Sequence, residues 1–307
     1  MRMNKAGVPG LHVLAYYYSY SGFRGSSLIW WLAKKLQIPR QGETICTPNG
    51  FPLIINYQDW TAKTIYEGTY ERALLKLLST LQINDTSIDV GANLGVTLWH
   101  AMMNANPKSR YIGIEPTSNC QIHLQIVCKS LQQQGQILKK SAGEFDGISK
   151  IYGISNSNHS GSASLVINSG VGSEETTEVI MLDTLLNQQN FAGRVSLIKI
   201  DTEGYEPEVI RGLKETIKRG LIDNLIMEVT PGFADPNHFN FLKNCLGIDY
   251  RWFYLDESGL IKKSPRLIEI HPENASEFNT QYNLVIMSNP SLHSYSKQRK
   301  RISIKQL

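Results

Sequence analysis

Apolar residues in the first 81 positions recur mostly at helical spacing, in the segments 26–39 and 70–81. The apolar face of the first segment comprises Leu28, Trp31, Leu32 and Leu36. Between the two helical segments, residues 44–56 have the pattern of two short strands around a Pro-Asn-Gly turn. The pattern therefore predicts an N-terminal extension, residues 1–81, that contains amphipathic helices and a hairpin.

From residue 82 onwards, short apolar runs alternate with segments of helical period. The apolar runs predict strands at 86–90, 110–114, 136–140, 195–200, 221–229, 250–255 and 282–287, with shorter strand-like pieces in 148–180. Strands that alternate with helices in this way predict an α/β domain with a doubly wound, mostly parallel sheet and helices on both faces. We expect this domain to span residues 82–290.

The loop after the first of these strands, DVGANLG (89–95), carries the most informative chemistry. Its glycines are Gly91 and Gly95, but Asn93 stands where the dinucleotide fingerprint G-x-G-x-x-G has a glycine. The preceding Asp89 places a negative charge where a pyrophosphate would be repelled. An acid at this point favours a phosphate-free ligand with a positive end, such as S-adenosylmethionine, which carries an ammonium and a sulfonium group.

The next strand, YIGIEP, ends in a second acid, Glu115. A carboxylate at this point can accept hydrogen bonds from the two free hydroxyls of a ribose, which NAD and S-adenosylmethionine share. A cap on the following helix is the alternative role for Glu115. Asp89 and the missing pyrophosphate turn favour S-adenosylmethionine over NAD.

Three further acids follow later strands of the predicted sheet. Asp201 and Glu203 come at the end of LIKID, and Glu228 lies in LIMEV. Methyl transfer to a hydroxyl needs an acceptor oxygen held in line and a group that takes its proton, so these acids are candidate catalytic groups. They could instead bind a divalent ion, bond a sugar, cap the following helix or serve as buried structural acids. A divalent metal thus stays open, without a clear ligand set.

The ordered motifs DVGANLG, IEP, LDTLL and IKIDTEGYEPEVIRG, followed by MEV, resemble the FkbM-type S-adenosylmethionine-dependent methyltransferases. The resemblance runs from about residue 45 to 287. It implies the class I, Rossmann-like fold with a seven-stranded sheet whose last strand is reversed, and O-methylation of sugars or other small hydroxylated metabolites. By the same resemblance, the cofactor is bound by Asp89, Gly91, Asn93, Gly95 and Glu115, and acids near the acceptor are Asp201, Glu203 and Glu228. Ala142, after the third strand, is expected where the adenine is bound, and Glu144 or Asp146 could accept from its amino group.

Composition and charge limit the partners. The chain of 307 residues is 41% hydrophobic and 19% charged, which is ordinary for a globular protein. Its net charge of +4 comes from residues 291–307, which hold five basic residues and no acid and leave −1 for the rest. We predict a disordered basic tail there, and no stable nucleic-acid partner. The four cysteines show no CxxC spacing, which favours free thiols and a cytoplasmic location.

The predicted function is methyl transfer to a glycan, glycolipid or natural product, with a small molecule or glycan as the acceptor. A nucleic-acid methyltransferase that uses the basic tail is one alternative, although the site after the fourth strand reads DTEGYEP and lacks a Pro-Pro-aromatic loop. A non-catalytic cofactor-binding module is another. The segment 26–39, with Lys34 beside Lys35, either docks on its own domain or makes a peripheral membrane contact.

Overall fold

The structure is a computed structural model that describes residues 26–154, 173–189, 193–231, 236–256 and 266–298, together with residues 14, 165, 191, 305 and 306. The helices are α1 (Ser26–Leu36), α2 (Trp60–Glu67), α3 (Arg72–Leu78), α4 (Val96–Met102), α5 (Ser118–Ser130), α6 (Leu182–Gln188), α7 (Glu206–Arg211), α8 (Lys214–Lys218), α9 (Pro236–Leu246) and α10 (Asn289–Gln298). The strands are β1 (Thr44–Cys46), β2 (Pro52–Ile54), β3 (Thr86–Val90), β4 (Arg110–Ile114), β5 (Gln134–Leu138), β6 (Ser141–Ala142), β7 (Gly147–Ile154), β8 (Ser173–Ile180), β9 (Val195–Ile200), β10 (Asn224–Val229), β11 (Tyr250–Asp256), β12 (Arg266–Glu269), β13 (Tyr282–Ser288) and β14 (Lys305–Gln306).

Within the described residues, nine strands form the central sheet, in the order β14-β12-β11-β13-β10-β9-β3-β4-β5. The strands from β10 to β5 run parallel, whereas β13 is antiparallel to both of its neighbours, β10 and β11. The predicted doubly wound, mostly parallel sheet with a reversed last strand is thus confirmed. The predicted number of seven strands is too low, because β12 and β14 pair beyond β11. Both are short, with four and two residues, and neither forms an apolar run.

The order of the parallel strands changes direction between β3 and β9, which are neighbours in the sheet. Every residue of these two strands is buried, as expected for strands covered on both faces. Ligands of open α/β sheets bind at such a point, beyond the carboxyl ends of the strands. A separate three-stranded sheet of β6, β8 and β7 stands beside this edge, and residues 155–164 and 166–172 between its strands lie outside the described residues.

The extension forms the predicted hairpin, β1 and β2, and helices close to the predicted segments. Its apolar side chains share one buried cluster with α5, in which Phe51 and Tyr66 accompany Leu124 and Val127. The extension therefore packs against the main domain. The division of the chain at residue 81 stays a prediction.

Helix α1 turns a different face inwards from the one that its apolar stripe indicates. Trp30 and Ala33 are buried, whereas Leu28, Trp31 and Leu36 are exposed. The helix does dock on its own domain, but mainly through the side opposite to the stripe. The reason lies in the sequence, because WW at 30–31 offers a large apolar ring to both faces.

The C-terminal segment differs from the predicted disordered tail over residues 291–298. Residues 289–298 form α10, in which Tyr295 is buried and Leu292 packs against the core. The Ser291 hydroxyl also donates to Asn224 Oδ1 at 2.7 Å. The prediction weighed only the charge of this segment, whereas these two apolar residues at helical spacing bind it to the domain. Residues 299–304 lie outside the described part of the chain.

All four cysteines carry free thiols, of which Cys120 is buried and Cys46 is exposed. In the described parts of the chain, every helix is too short or too polar to span a bilayer. The cytoplasmic location stays a prediction.

Candidate active site

A cavity of about 340 Å³ lies at the carboxyl ends of the central strands. Seven of the nine predicted site residues line it, namely Gly91, Asn93, Glu115, Ala142, Asp201, Glu203 and Glu228. Further lining residues come from the extension, among them Trp60, Tyr70 and Glu71. The volume is in the range of small-molecule sites. The fold therefore brings together acids that are more than 100 positions apart in the sequence.

The loop after β3 makes an unusually close approach to the neighbouring strand. Gly91 has φ +75°, and a Cβ built on it would lie 1.7 Å from the backbone oxygen of Asp201. Asn93 also adopts the left-handed conformation, with φ +48°. Gly95 caps α4 at φ +80°, where a Cβ would come within 2.9 Å of Leu124. The two glycines thus permit a tight turn. Gly95 does not line the cavity, because it faces α5.

Glu115 restrains the segment before α5 and also fixes the glycine loop, while its role towards a ribose stays a prediction. Its Oε1 accepts from the amide and the hydroxyl of Thr117, at 2.9 and 2.7 Å, and so restrains the start of the segment leading into α5. Its Oε2 accepts from the amide of Asn93 at 2.9 Å and fixes the glycine loop. Burial raises the pKa of Glu115, and these hydrogen bonds oppose the rise. The carboxylate lines the cavity and retains acceptor capacity for a ribose hydroxyl.

Asp89 lies beneath the cavity rather than on its surface. It is opposite Lys199 in the pairing of β3 with β9, with 3.8 Å between Asp89 Oδ1 and Lys199 Nζ. The Thr97 hydroxyl donates to Asp89 Oδ2 at 2.6 Å. Burial raises the pKa of Asp89, while Lys199 and Thr97 lower it. The partners of Asp89 in the structure are thus Lys199 and Thr97, and its role towards a cationic ligand stays a prediction.

Lys199 joins the loop strand to the candidate catalytic acids. It is only 3% exposed, and its Nζ donates to Asp201 Oδ2 at 2.9 Å. Burial opposes the charge of Lys199, but the carboxylates of Asp201 and Asp89 raise its pKa. The ammonium therefore stays charged and restrains the carboxylate of Asp201 at the floor of the cavity.

Three carboxylates meet beside this ion pair. Oxygens of Glu71, Asp201 and Glu228 all lie within 4.8 Å of one another. Burial, together with the charge of Asp201, raises the pKa of Glu228 to about 9, so that it holds a proton at neutral pH. A Ca²⁺ ion takes six to eight oxygen ligands, and Mg²⁺ near-ideal octahedral geometry, so three carboxylates alone do not make a clear ligand set. A divalent metal thus stays an open alternative without a clear ligand set among the described residues.

Glu203 stands at the mouth of the cavity in a strained turn, with φ +56°. Partial desolvation, together with the charges of Asp201 and Glu206, raises the pKa of Glu203 to about 7. Glu206, rather than Glu203, ties up the turn, because its Oε1 accepts from the amides of Thr202 and Gly204 at 2.7 and 3.2 Å. Glu203 is left available to a ligand.

Two acids expected near the adenine have other partners. Glu144 accepts from Arg211. Asp146 accepts from the amide of Met181 and the hydroxyl of Thr184, at 2.8 and 2.7 Å, and so fixes the start of α6. Neither lines the cavity, whereas Ala142 does.

Sequence reasoning missed three residues of the site. Tyr70 and Glu71 come just before α3, within a segment for which the pattern predicts only a helix. Burial, together with nearby carboxylates, raises the pKa of Tyr70 well above its ordinary value, so its phenol keeps its proton. Lys199 is a polar residue inside an otherwise apolar strand, and this exception was the signal that could have revealed it.

Comparison with known proteins agrees with this geometry. Residues 89–246 match the family described as the methyltransferase FkbM domain. No curated protein sequence shows a significant match.

Solved structures similar to this chain include precorrin-6y C5,15-methyltransferase from Geobacter metallireducens GS-15. It is 10% identical, with a TM-score of 0.37, over 72% of this chain and 89% of that one. An rRNA methylase from Streptococcus thermophilus is 7% identical, with a TM-score of 0.36, over 71% of this chain and 94% of that one. These two likenesses concern the fold alone. The family match covers just over half of the chain, which therefore belongs to the FkbM family of S-adenosylmethionine-dependent methyltransferases.

Proposed function

We propose that the protein methylates a hydroxyl group of a sugar or another small hydroxylated metabolite. The observation that carries this proposal is the group of acids Asp201, Glu203 and Glu228 at one cavity with the glycine loop. A hydroxyl must lose its proton as it is methylated, and carboxylates of graded proton affinity can take it.

The charge of the cavity supports S-adenosylmethionine as the ligand. Five acids line it, against a single basic residue, Lys140, among the described residues. Such a lining repels phosphate groups and attracts a sulfonium and an ammonium. Gly91, Asn93 and Glu115 would hold the cofactor, which supplies an electrophilic methyl group when it is bound.

The pKa values suggest how the acids divide the work. Glu203, with a pKa of about 7, is the proposed general base, since a base is most effective when its pKa lies near the working pH. Glu228 is protonated at neutral pH and can donate a hydrogen bond to the acceptor oxygen. Asp201, restrained by Lys199, would position the acceptor.

Calorimetry tests the cofactor, and labelled S-adenosylmethionine tests the acceptor. We expect the protein to bind S-adenosylmethionine but not NAD, and Glu115→Ala to lose this binding. Glu215→Ala, an exposed position on α8 outside the cavity lining, is the control and should bind normally. If the protein binds NAD and does not bind S-adenosylmethionine, the cofactor assignment is refuted.

The acceptor assay uses sugars, glycolipids, polyphenols and RNA. Glu203→Gln should lower transfer to a hydroxyl by about 10²–10⁴-fold while leaving cofactor binding intact. Glu228→Gln mimics the protonated acid and should retain most activity at pH 7. Transfer to RNA that depends on the basic C-terminal segment would favour a nucleic-acid methyltransferase instead. Cofactor binding without transfer to any acceptor would favour a non-catalytic module.

A further inference from the structure

Helix α1 presents an apolar face to solvent. Leu28, Trp31 and Leu36 are 60, 51 and 57% exposed, and Ile38, just beyond the helix, is 51% exposed. We call these four residues the α1 outer face. We propose that the α1 outer face binds the surface of an anionic phospholipid bilayer.

The opposite side of the helix prevents this face from turning inwards. The centre of the Trp30 ring lies 4.9 Å from that of Tyr57 and 5.0 Å from that of Tyr66. Ala33, on the same side of the helix, is fully buried. The chain after the helix is also fixed, because the Tyr57 hydroxyl donates to the backbone oxygen of Pro39 at 2.6 Å. Rotation that buried the outer face would expose Trp30, so the exposure is built into the fold.

The outer face is also a concentration of exposed apolar side chains. Eleven large hydrophobic residues are exposed in the described part of the chain, and four of them fall within residues 28–38. The others include single positions such as Ile122, Ile148 and Ile248. Scattered apolar residues are normal on a protein surface, whereas a cluster marks an interaction site.

Charge identifies the partner. Lys34 and Lys35 flank the outer face, both exposed, and the Nζ of Lys35 lies 5.1 Å from the centre of the Trp31 ring. The described residues 26–42 hold three basic residues, Lys34, Lys35 and Arg40, and no acid, whereas residues 43–290 carry a net charge of −7. An anionic surface attracts this short segment and repels the rest, which would orient the molecule with α1 towards the lipid. Tryptophan and lysine beside leucine are the composition of an interfacial helix.

A second copy of the chain fits this face less well. A symmetric dimer through the outer face would place Lys34 and Lys35 near the same lysines of the partner. A stable interface also needs about 800 Å² from each partner, which is more than a few side chains on one helix supply. Anionic headgroups satisfy the lysines, and the acyl region accepts the apolar side chains.

Sedimentation of the full chain with phospholipid vesicles tests the proposal. We expect binding to vesicles that contain phosphatidylglycerol and much weaker binding to phosphatidylcholine alone, with a decrease as salt is added. Trp31→Ser with Leu28→Ser should lower the partition coefficient at least about tenfold. Lys34→Gln with Lys35→Gln should lower it about 25-fold, because each lysine near an anionic surface contributes a factor of about five. Ile248→Ser, 92% exposed elsewhere, is the matched control and should bind as the wild type does.

Thermal unfolding and S-adenosylmethionine binding show whether each variant is folded, and both should match the wild type because the changed side chains are exposed. The proposal is overturned if the wild type does not bind anionic vesicles, or if the Trp31 variant binds as well as the control. A dimer that dissociates in the Trp31 variant, without vesicle binding, would assign the face to a second copy. None of these outcomes bears on methyl transfer to a soluble acceptor.

Discussion

Replacement of Lys199 by methionine tests whether the buried ion network supports the site. The ammonium lies between Asp89 and Asp201, and the Lys199 side chain is almost completely buried. Methionine has a similar length and no charge, so the change removes the cation while filling most of the space. Asp89 on β3 and Asp201, just beyond the end of β9, would then lack their shared partner.

The cost of this change follows from the two contacts. Removal of one partner from a buried ion pair typically destabilises a protein by about 3–5 kcal/mol. The distances of 2.9 Å to Asp201 and 3.8 Å to Asp89 place Lys199 within direct contact range of both carboxylates. We therefore expect Lys199→Met to lower the free energy of unfolding by about 3–5 kcal/mol at pH 7, which is a large part of ordinary domain stability.

The stability that Lys199→Met loses relative to the wild type should depend on pH in a definite direction. Lys199 lowers the pKa of Asp89, so its loss raises that pKa further above the ordinary value. A carboxyl whose pKa is higher in the folded than in the unfolded protein binds its proton more tightly when folded. The folded variant thus gains stability as the pH falls. The difference in unfolding free energy between Lys199→Met and the wild type should therefore shrink by up to about 1.4 kcal/mol per pH unit between pH 7 and 5.

Urea unfolding at several pH values measures the effect. Lys218→Met is the matched control, since Lys218 pairs with Glu215 at 3.1 Å on the surface, and its change should stay within about 0.5 kcal/mol. The double variant Lys199→Met with Asp89→Asn removes an acid that has lost its partner and should be more stable than Lys199→Met alone. A deficit that is independent of pH, together with no recovery in the double variant, would refute the ion network.

Two further predictions concern the loop and the base. In thermal unfolding, Gly91→Ala should destabilise the protein by about 1–3 kcal/mol more than Gly42→Ala. Both glycines have φ between +75° and +79°, but only at Gly91 would a Cβ meet the backbone of Asp201. Equal effects of the two substitutions would contradict the close approach. In the proposed reaction, kcat/KM should rise about tenfold per pH unit below pH 7 and level off above it, as Glu203 with its pKa of about 7 loses its proton. Glu203→Gln should remove this rise, and an unchanged profile would assign the base elsewhere.

The sequence predicted the site where chemistry follows strand ends. Gly91, Glu115, Asp201 and Glu228 all come at or near the carboxyl end of a parallel strand, and such ends share one edge of the sheet. Their meeting therefore depends only on the number and direction of the strands. The alternation of apolar runs with helical segments predicted the parallel direction, although it gave too few strands.

The partners of these residues could not be predicted in the same way. Asp89 and Lys199 lie 110 positions apart, and their pairing depends on the register between β3 and β9. Glu71 reaches the site only because the extension packs against the main domain. For α1, both faces offer apolar side chains, so the pattern could not tell which of them is buried. In each case a contact between distant segments decides the outcome.

The network around Lys199 also explains how the proposed reaction keeps the charge of the cavity constant. A bound S-adenosylmethionine would lose the positive charge of its sulfonium on giving up its methyl group, and the methylated hydroxyl would release one proton. If Glu203 takes this proton, the charge lost from the cofactor is restored a short distance away, inside the same cavity. Lys199 keeps Asp201 in an ion pair throughout, so the proton is directed to the acid without such a pair. A pKa of about 7 then allows Glu203 to release the proton to solvent before the next turnover, whereas Glu228, at about 9, keeps its own.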